Sequence, residues 1–231
     1  MFDKEFIKSK STLDQKLNNF PKFVRRQVIA RFLCQYHIFQ KQMDVKGSIV
    51  ECGVNLGGGV FSWAHFSSIL EPYNYHRKII GFDTFDGFVS LVKKDGRKLK
   101  KKKSFFRRSY DVKKELLDLI KAFDKNRYLN NKQKIELIKG DANKTIPEYL
   151  KKNPELLVSL LFLDFDIYKP TVTALKHFLP RMTKGSIIAF DQLNNPDWPG
   201  ETLAYLEKSQ LKKYRLETLG FEPNISFLQI K

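Results

Sequence analysis

The sequence predicts an α/β fold in which a mostly parallel sheet is covered by helices on both faces. Short apolar runs alternate with helical patterns between residues 47 and 191, and this alternation is typical of a doubly wound sheet. A glycine-rich turn joins the first apolar run to the first helix of that region, as it does in many strand–turn–helix units. With 231 residues, 42% of them hydrophobic, the chain is predicted to form one domain with a substantial core.

Residues 1–46 are predicted to form a helical arm that precedes the sheet. The first twenty residues are polar, with one short helix at 13–17, and Pro21 is expected to open a longer helix. Apolar residues recur along that longer helix and form a stripe, which would pack on the sheet or on a second subunit of a homo-oligomer. The stripe contains Val24, Val28, Phe32, Tyr36 and Phe39, with Arg25, Arg26 and Arg31 between them.

Seven apolar runs are predicted as strands. Glycine, proline or acidic residues bound most of these runs, as is typical of strands, and helices are expected between them. Five of the runs would be parallel strands of the core, and the last two would close the sheet as an antiparallel pair. The parallel runs are 47–53, 78–82, 134–138, 158–163 and 184–190, and the antiparallel runs are 212–218 and 225–230.

Basic residues are concentrated in one segment of the chain. The net charge is +17, which favours an anionic partner, and residues 93–114 contain 12 basic and 2 acidic residues. We interpret the region near 93–110 as a basic insertion in the 47–231 core. It could bind nucleic acid or anionic lipid, guide a phosphorylated substrate, or be a solvated loop.

The composition also indicates the cellular compartment in which the protein is expected. The longest apolar run, at 156–163, is too short to span a bilayer, and the N-terminus has no signal-peptide core. The two cysteines, Cys34 and Cys52, give no disulfide framework. We therefore expect a cytoplasmic protein without a membrane partner.

The turn after the first strand has the composition of a ligand-binding turn. Glycines let a ligand approach the backbone closely, and the start of the following helix offers free N–H groups. The spacing differs from G-x-G-x-x-G, which argues against an ordinary nicotinamide site. The candidate binding residues here are Glu51, Gly53, Asn55, Gly57 and Gly58.

Acidic residues lie at or near the ends of all five parallel strands. Asp83 is placed where a carboxylate can accept hydrogen bonds from ribose hydroxyls, although a turn or helix-capping role is the alternative. Because ends of parallel strands share one edge of a sheet, these acids would repel one another unless cations or hydroxyl-rich ligands were bound. The set is Glu51, Asp83, Asp141, Asp164 and Asp191, with Asp166 two residues after the fourth-strand acid.

Five strings of this sequence resemble the macrocin O-methyltransferase family, which includes sugar methyltransferases of mycinamicin and novobiocin biosynthesis. They are VECGVNLGGG, GFDTFDGF, LFLDFDIYKPT, IIAFDQL and WPGE, and they extend over roughly residues 47–208. The resemblance implies a Rossmann-like enzyme that moves a methyl group from S-adenosylmethionine to a sugar hydroxyl.

The resemblance further implies roles for individual residues. Asp141 and Ala142 would lie by the adenine, Asp164 would lie at the donor and metal sites, and Asp166 would be the general base. Mg²⁺ would be held by Asp164, Asp191 and Gln192. Oxygen ligands suit Mg²⁺, and a bound metal would stabilise the alkoxide of a sugar hydroxyl while a carboxylate accepts its proton. Family members usually carry a second acid where this chain has Gln192, so this set has one negative charge fewer.

Three functional hypotheses follow. The first is a small-molecule O-methyltransferase whose acceptor is a sugar or sugar conjugate, and the basic segment favours an anionic acceptor such as a nucleotide-linked sugar. The second is a methyltransferase of RNA or another nucleic acid that uses the segment 93–114, although no separate RNA-binding module is evident. The third is a binding protein that kept the fold without catalysis, which the retained Asp164, Asp166 and Asp191 disfavour.

Overall fold

The protein contains a mixed seven-stranded sheet in the order β3-β2-β1-β4-β5-β7-β6. This computed structural model describes residues 2–96 and 106–231. The first five strands run parallel, and β7 is antiparallel to both β5 and β6, so the predicted mostly parallel α/β sheet is confirmed. The strands are β1 Ser48–Cys52, β2 Ile79–Asp83, β3 Ile135–Lys139, β4 Val158–Leu163, β5 Ile187–Phe190, β6 Glu217–Leu219 and β7 Glu222–Gln229.

Helices cover both faces of the sheet, and each face has its own apolar core. One core joins α3, α4 and α5 through residues such as Cys34, Trp63 and Leu116. The other joins α6, α7 and α8 through residues such as Ile146 and Ala174. The helices are α1 Phe2–Lys8, α2 Leu13–Asn18, α3 Arg26–Gln42, α4 Gly58–Leu70, α5 Val112–Lys125, α6 Ala142–Lys152, α7 Tyr168–Phe178 and α8 Gly200–Leu206.

Strand order brings the acidic strand ends together. Glu51 in β1 is in register with Gly81 of β2 and Phe162 of β4, and β4 pairs with β5. The carboxyl ends of β2, β1, β4 and β5 are therefore consecutive along one edge, which is where ligands bind in open α/β sheets.

The N-terminal arm differs from the prediction. Residues 2–8 are helical rather than loose, and the long helix begins at Arg26 instead of Pro21. Pro21 lies in a short 3-10 helix, Phe20–Lys22, and the backbone at Arg25 is extended, which separates the two helices. The predicted stripe is only partly buried, because Phe39 is fully buried whereas Val28 is 55% exposed.

The C-terminal pair is shifted relative to the sequence prediction. Most of the predicted strand 212–218 is irregular, because β6 contains only its last two residues and Leu219. Leu219 pairs with Glu222, so Gly220 and Phe221 form the whole turn.

Parts of the prediction lie beyond what this fold tests. Residues 97–105 of the basic insertion lie outside the described residues, and the organisation of 1–231 as one domain stays a prediction. None of the helices in the described part of the chain combines the length and the apolar composition that a membrane-spanning helix requires.

Candidate active site

A cavity of about 330 Å³ lies at the carboxyl edge of the sheet. Its walls come from the turns that follow the first four strands, and its volume is in the range of ligand pockets. Nine of the predicted site residues line it: Glu51, Gly53, Asn55, Gly58, Asp83, Asp141, Ala142, Asp164 and Asp166. The other three, Gly57, Asp191 and Gln192, are not part of the lining.

The glycine turn packs tightly on one side and is open on the other. Gly53 has φ +102°, and a Cβ there would lie 1.9 Å from the Asp164 carbonyl oxygen. Gly58, the first residue of α4, would place a Cβ with no atom within 4 Å. A ligand can therefore approach the backbone of this turn with no side chain in between.

Glu51 is a buried carboxyl held by the helix that follows the glycine turn. The indole N–H of Trp63 donates a hydrogen bond to its Oε2 at 2.6 Å, and a Cβ on Gly59 would lie 2.3 Å from the same oxygen. Burial raises the pKa of Glu51 to about 8, although the Trp63 hydrogen bond and the charge of Arg31 oppose this. A cation bound nearby would favour the ionised form of Glu51.

Asp83 links the end of β2 to the glycine turn. Its Oδ2 accepts hydrogen bonds from the backbone N–H groups of Val54 at 2.7 Å and Asn55 at 2.8 Å, and its Oδ1 accepts from the N–H of Phe85 at 2.7 Å. Asp83 therefore does stabilise the turn, which was the alternative to a role in ligand binding. Because Asp83 also lines the cavity and a carboxylate has about four acceptor positions, it can still accept from a ligand.

Asp141 caps helix α6 and also lines the cavity. It accepts hydrogen bonds from the N–H of Asn143 at 3.0 Å and from the hydroxyl of Ser90 at 2.8 Å. Partial burial opposes the charged form, but these hydrogen bonds outweigh it and lower the pKa of Asp141. The carboxylate is thus ionised at neutral pH, with Ala142 beside it in the wall of the cavity.

Arg31 of α3 joins the two acids that follow β4 and β5. Its Nη2 donates to Asp164 Oδ2 at 2.8 Å, and its Nη1 donates to Asp191 Oδ1. The guanidinium also lies 5.6 Å from the ring centre of Phe162. Burial disfavours its charge, but Asp191 and Asp164 outweigh that effect and raise the pKa of Arg31.

Asp166 lies beside this ion pair in a left-handed backbone conformation, with φ 62°. Burial and the charge of Asp191 raise its pKa to about 7, which suits a group that accepts a proton near neutral pH. Its N–H donates to Oε1 of Glu201 at 3.1 Å, and the N–H of Gln192 reaches Oε2 of the same carboxyl at 3.5 Å. Glu201 is fully buried, so it connects the turns after β4 and β5 from within the core.

Backbone strain is concentrated in the same region. Asn55, Phe85 and Asp166 line the cavity and have positive φ angles of 48°, 53° and 62°. Residues other than glycine adopt this conformation at an energetic cost, typically where surrounding structure holds a functional group in place.

The predicted magnesium ligands do not form a magnesium site in this arrangement. Asp164 and Asp191 both accept hydrogen bonds from Arg31, and the amide oxygen of Gln192 accepts from Asn195 at 3.0 Å. Across residues 2–96 and 106–231, no group of three or more His, Cys, Asp or Glu side chains could hold a metal ion. The donor set does not fit a divalent cation, because a guanidinium already lies between its two carboxylates.

Three residues of this region were not assigned from the sequence. Glu201 lies in the WPGE string, but its buried contact with Asp166 could not be inferred from that string. Trp63 lies in a helix, where the sequence pattern indicates packing against the core but not a hydrogen bond to Glu51. Arg31 contacts acids 133 and 160 residues away, and no local pattern carries that information.

Comparison with known proteins agrees with the family resemblance. The macrocin O-methyltransferase (TylF) family model matches residues 32–212, whereas comparison with curated protein sequences returned no match. A structure of CalS11, calicheamicin methyltransferase, is 32% identical with a TM-score of 0.94, covering 99% of this chain and 89% of that chain. An apo structure of CalS11, named there TDP-rhamnose 3'-O-methyltransferase, is 31% identical with a TM-score of 0.85, covering 99% and 91%.

A structure of the O-methyltransferase NovP is 17% identical with a TM-score of 0.68, covering 88% of this chain and 80% of that chain, and this likeness shows the fold alone. The family match covers most of the chain, from Phe32 in α3 to the segment that follows α8. The chain therefore belongs to the macrocin O-methyltransferase family.

Proposed function

We propose that the protein is an S-adenosylmethionine-dependent O-methyltransferase that methylates a hydroxyl of a sugar or sugar conjugate. The observation that carries this proposal is the arrangement of the cavity, in which the glycine turn, Asp83 and Asp141 share one lining with Asp164 and Asp166. Membership of a methyltransferase family supports the same reaction.

The residues of the cavity fit the methyl donor. The open backbone at Gly58 offers N–H groups to the carboxylate of S-adenosylmethionine. Asp83 can accept hydrogen bonds from the ribose hydroxyls. Asp141 would accept from the adenine amino group, with Ala142 beside the ring. When bound, S-adenosylmethionine supplies an electrophilic methyl group on a positively charged sulfur.

Asp166 would act on the acceptor. Its carboxylate takes the proton of the sugar hydroxyl as the oxygen forms its bond to the methyl carbon and the sulfur–carbon bond breaks. Glu201 holds the backbone N–H of Asp166, so the carboxylate is positioned before the substrate arrives. Positioning of this kind accounts for much of the rate of a displacement reaction.

The acceptor class is proposed from the relatives and from charge. CalS11 is named a TDP-rhamnose 3'-O-methyltransferase, and it matches 99% of this chain at 31% identity. The net charge of +17 would favour an anionic conjugate such as a nucleotide-linked sugar.

Isothermal titration tests the donor site directly. We expect S-adenosylmethionine to bind the purified protein with one site per chain, and Asp83→Ala to weaken that binding by about tenfold or more, as loss of hydrogen bonds to a charged group would. The absence of donor binding in the wild-type protein would overturn the proposed function.

A nucleic-acid methyltransferase is the second candidate, and the basic segment 93–114 is the observation that favours it. The positive charge of the described part of this segment is partly neutralised, because Lys94 pairs with Glu207 and Arg107 pairs with Asp86. Loss of RNA affinity after charge reversal at Lys100–Lys103, which lie outside the described residues, would support this candidate. Methylation of a free sugar would count against it.

A further inference from the structure

Arg31 occupies the place at which the family resemblance puts a metal ion. The two carboxylates that it joins follow adjacent strands, β4 and β5, and each takes one of its two terminal nitrogens. The planar guanidinium is suited to such a two-acid contact, since its donors have a fixed geometry. Arg31 also lines the cavity together with Asp164.

The contacts of the two carboxylates favour a guanidinium over a divalent ion. Each carboxylate already accepts a hydrogen bond from a terminal nitrogen of Arg31. A divalent cation in the same place would put two cations within contact distance, which costs energy even with partial solvent screening. The third predicted ligand, Gln192, adds no negative charge to compensate.

We propose that the guanidinium of Arg31 is the resident cation of this active site and takes the position of a divalent metal, so that methyl transfer does not require one. The catalytic half of this proposal rests on the proposed function, whereas the exclusion of metal does not. Two of the five guanidinium N–H groups are used by the acids. The remaining donors can stabilise the negative charge that grows on the acceptor oxygen while its proton passes to Asp166.

Metal binding is measured first, without any substrate. The wild-type protein, Arg31→Gln and the matched control Arg26→Gln, which changes an exposed arginine of the same helix, are titrated with Mn²⁺ and followed by electron paramagnetic resonance. We expect the wild type and Arg26→Gln to leave the signal of free Mn²⁺ unchanged. Arg31→Gln exposes two uncompensated carboxylates, and we expect it to bind Mn²⁺ at least about tenfold more tightly than the wild type.

Methyl transfer is then measured with EDTA and with added Mg²⁺. We expect EDTA to leave the wild-type rate unchanged. Arg31→Gln should lose about 100-fold in kcat without metal, as expected for a lost charge-stabilising donor, and should recover part of the rate with Mg²⁺.

Two results would overturn the proposal. One is Mn²⁺ binding to the wild type that disappears in Asp191→Asn, and the other is loss of wild-type activity in EDTA. If Arg31→Gln fails to fold, as shown by its melting temperature, the wild-type titration decides alone. A protein that transfers no methyl group but also excludes Mn²⁺ would refute the proposed function and leave metal exclusion supported.

Discussion

At the scale of single residues, the site depends on carboxyl groups whose surroundings give them different properties. Asp83 and Asp141 each accept hydrogen bonds from neutral N–H or O–H groups of the protein. They are therefore suited to accept hydrogen bonds from the neutral hydroxyl and amino groups of a ligand as well. Glu51 and Asp166 are buried, and burial raises the pKa of both. One edge of a sheet thus holds acids suited to binding and an acid suited to accepting a proton.

Asp166→Asn tests the proton acceptor. Asparagine tolerates the left-handed conformation that Asp166 adopts, so the fold should persist while the base is lost. We expect kcat to fall by about 10²–10⁴-fold with an unchanged Kd for S-adenosylmethionine. Asp44→Asn makes the same change at an exposed position and should leave both quantities at their wild-type values, and an equal kcat in the two variants would remove Asp166 from the reaction.

Glu51 predicts a pH dependence of stability. Its pKa is about 8 in the folded protein and near 4.5 when unfolded, so between these values the folded state holds the extra proton. The protonated Glu51 therefore favours the folded state fully at pH 4, and this contribution to the free energy of unfolding is lost as the pH rises through 8. From pH 5 to 8, the free energy of unfolding should fall by about 2–5 kcal/mol more in the wild type than in Glu51→Gln.

Chemical denaturation across that pH range measures the difference. Glu148→Gln, at an exposed position of α6, should follow the wild type. Parallel pH profiles for the wild type and Glu51→Gln would contradict a raised pKa at Glu51.

At the scale of elements, the start of α4 combines a structural and a binding requirement. Gly58 is the first helical residue and has open space where a side chain would be. Alanine at this position favours the helix, yet its methyl group would reduce access to the backbone that lines the cavity.

Gly58→Ala should therefore separate stability from binding. We expect an unchanged or slightly higher Tm, together with a Kd for S-adenosylmethionine that rises by about tenfold. Gly220→Ala is a matched control, because a Cβ there also meets no atom within 4 Å and Gly220 lies in the turn before β7. Unchanged donor affinity in Gly58→Ala would show that the donor does not approach this turn.

Elements also show how far the sequence could predict this protein. Val158–Leu163 is apolar apart from Ser159 and follows the predicted boundaries, because a fully buried strand leaves a nearly continuous local signal. The start of α3 was predicted five residues early, since a proline marks either a helix or a 3-10 turn. Nothing local distinguishes the buried Cys34 from the exposed Val28 in one helix.

The candidate site divides in the same way. Acids at strand ends could be predicted because parallel topology alone gathers them at one edge. Their partners Arg31 and Glu201 come from other elements, at distances along the chain that no periodicity encodes. The magnesium prediction is not supported: it was carried over from the family resemblance, and the resemblance did not include the arginine that lies between Asp164 and Asp191.

At the scale of the whole molecule, the net charge of +17 should affect the capture of an anionic acceptor. Attraction between exposed charges weakens as salt is added. We expect KM for a nucleotide-linked sugar to rise about threefold or more between 50 and 300 mM NaCl, with kcat unchanged. A neutral sugar acceptor is the control and should show no such change; a constant KM for the charged acceptor would remove any role of the net charge.

The proposed function is best tested by following the transfer of radiolabelled methyl groups from S-adenosylmethionine, with nucleotide-linked sugars, free sugars and RNA offered to one preparation. We expect label on a sugar hydroxyl as a methyl ether, and loss of that label in Asp166→Asn. Label found in RNA instead, or transfer by Asp166→Asn at the wild-type rate, would contradict it.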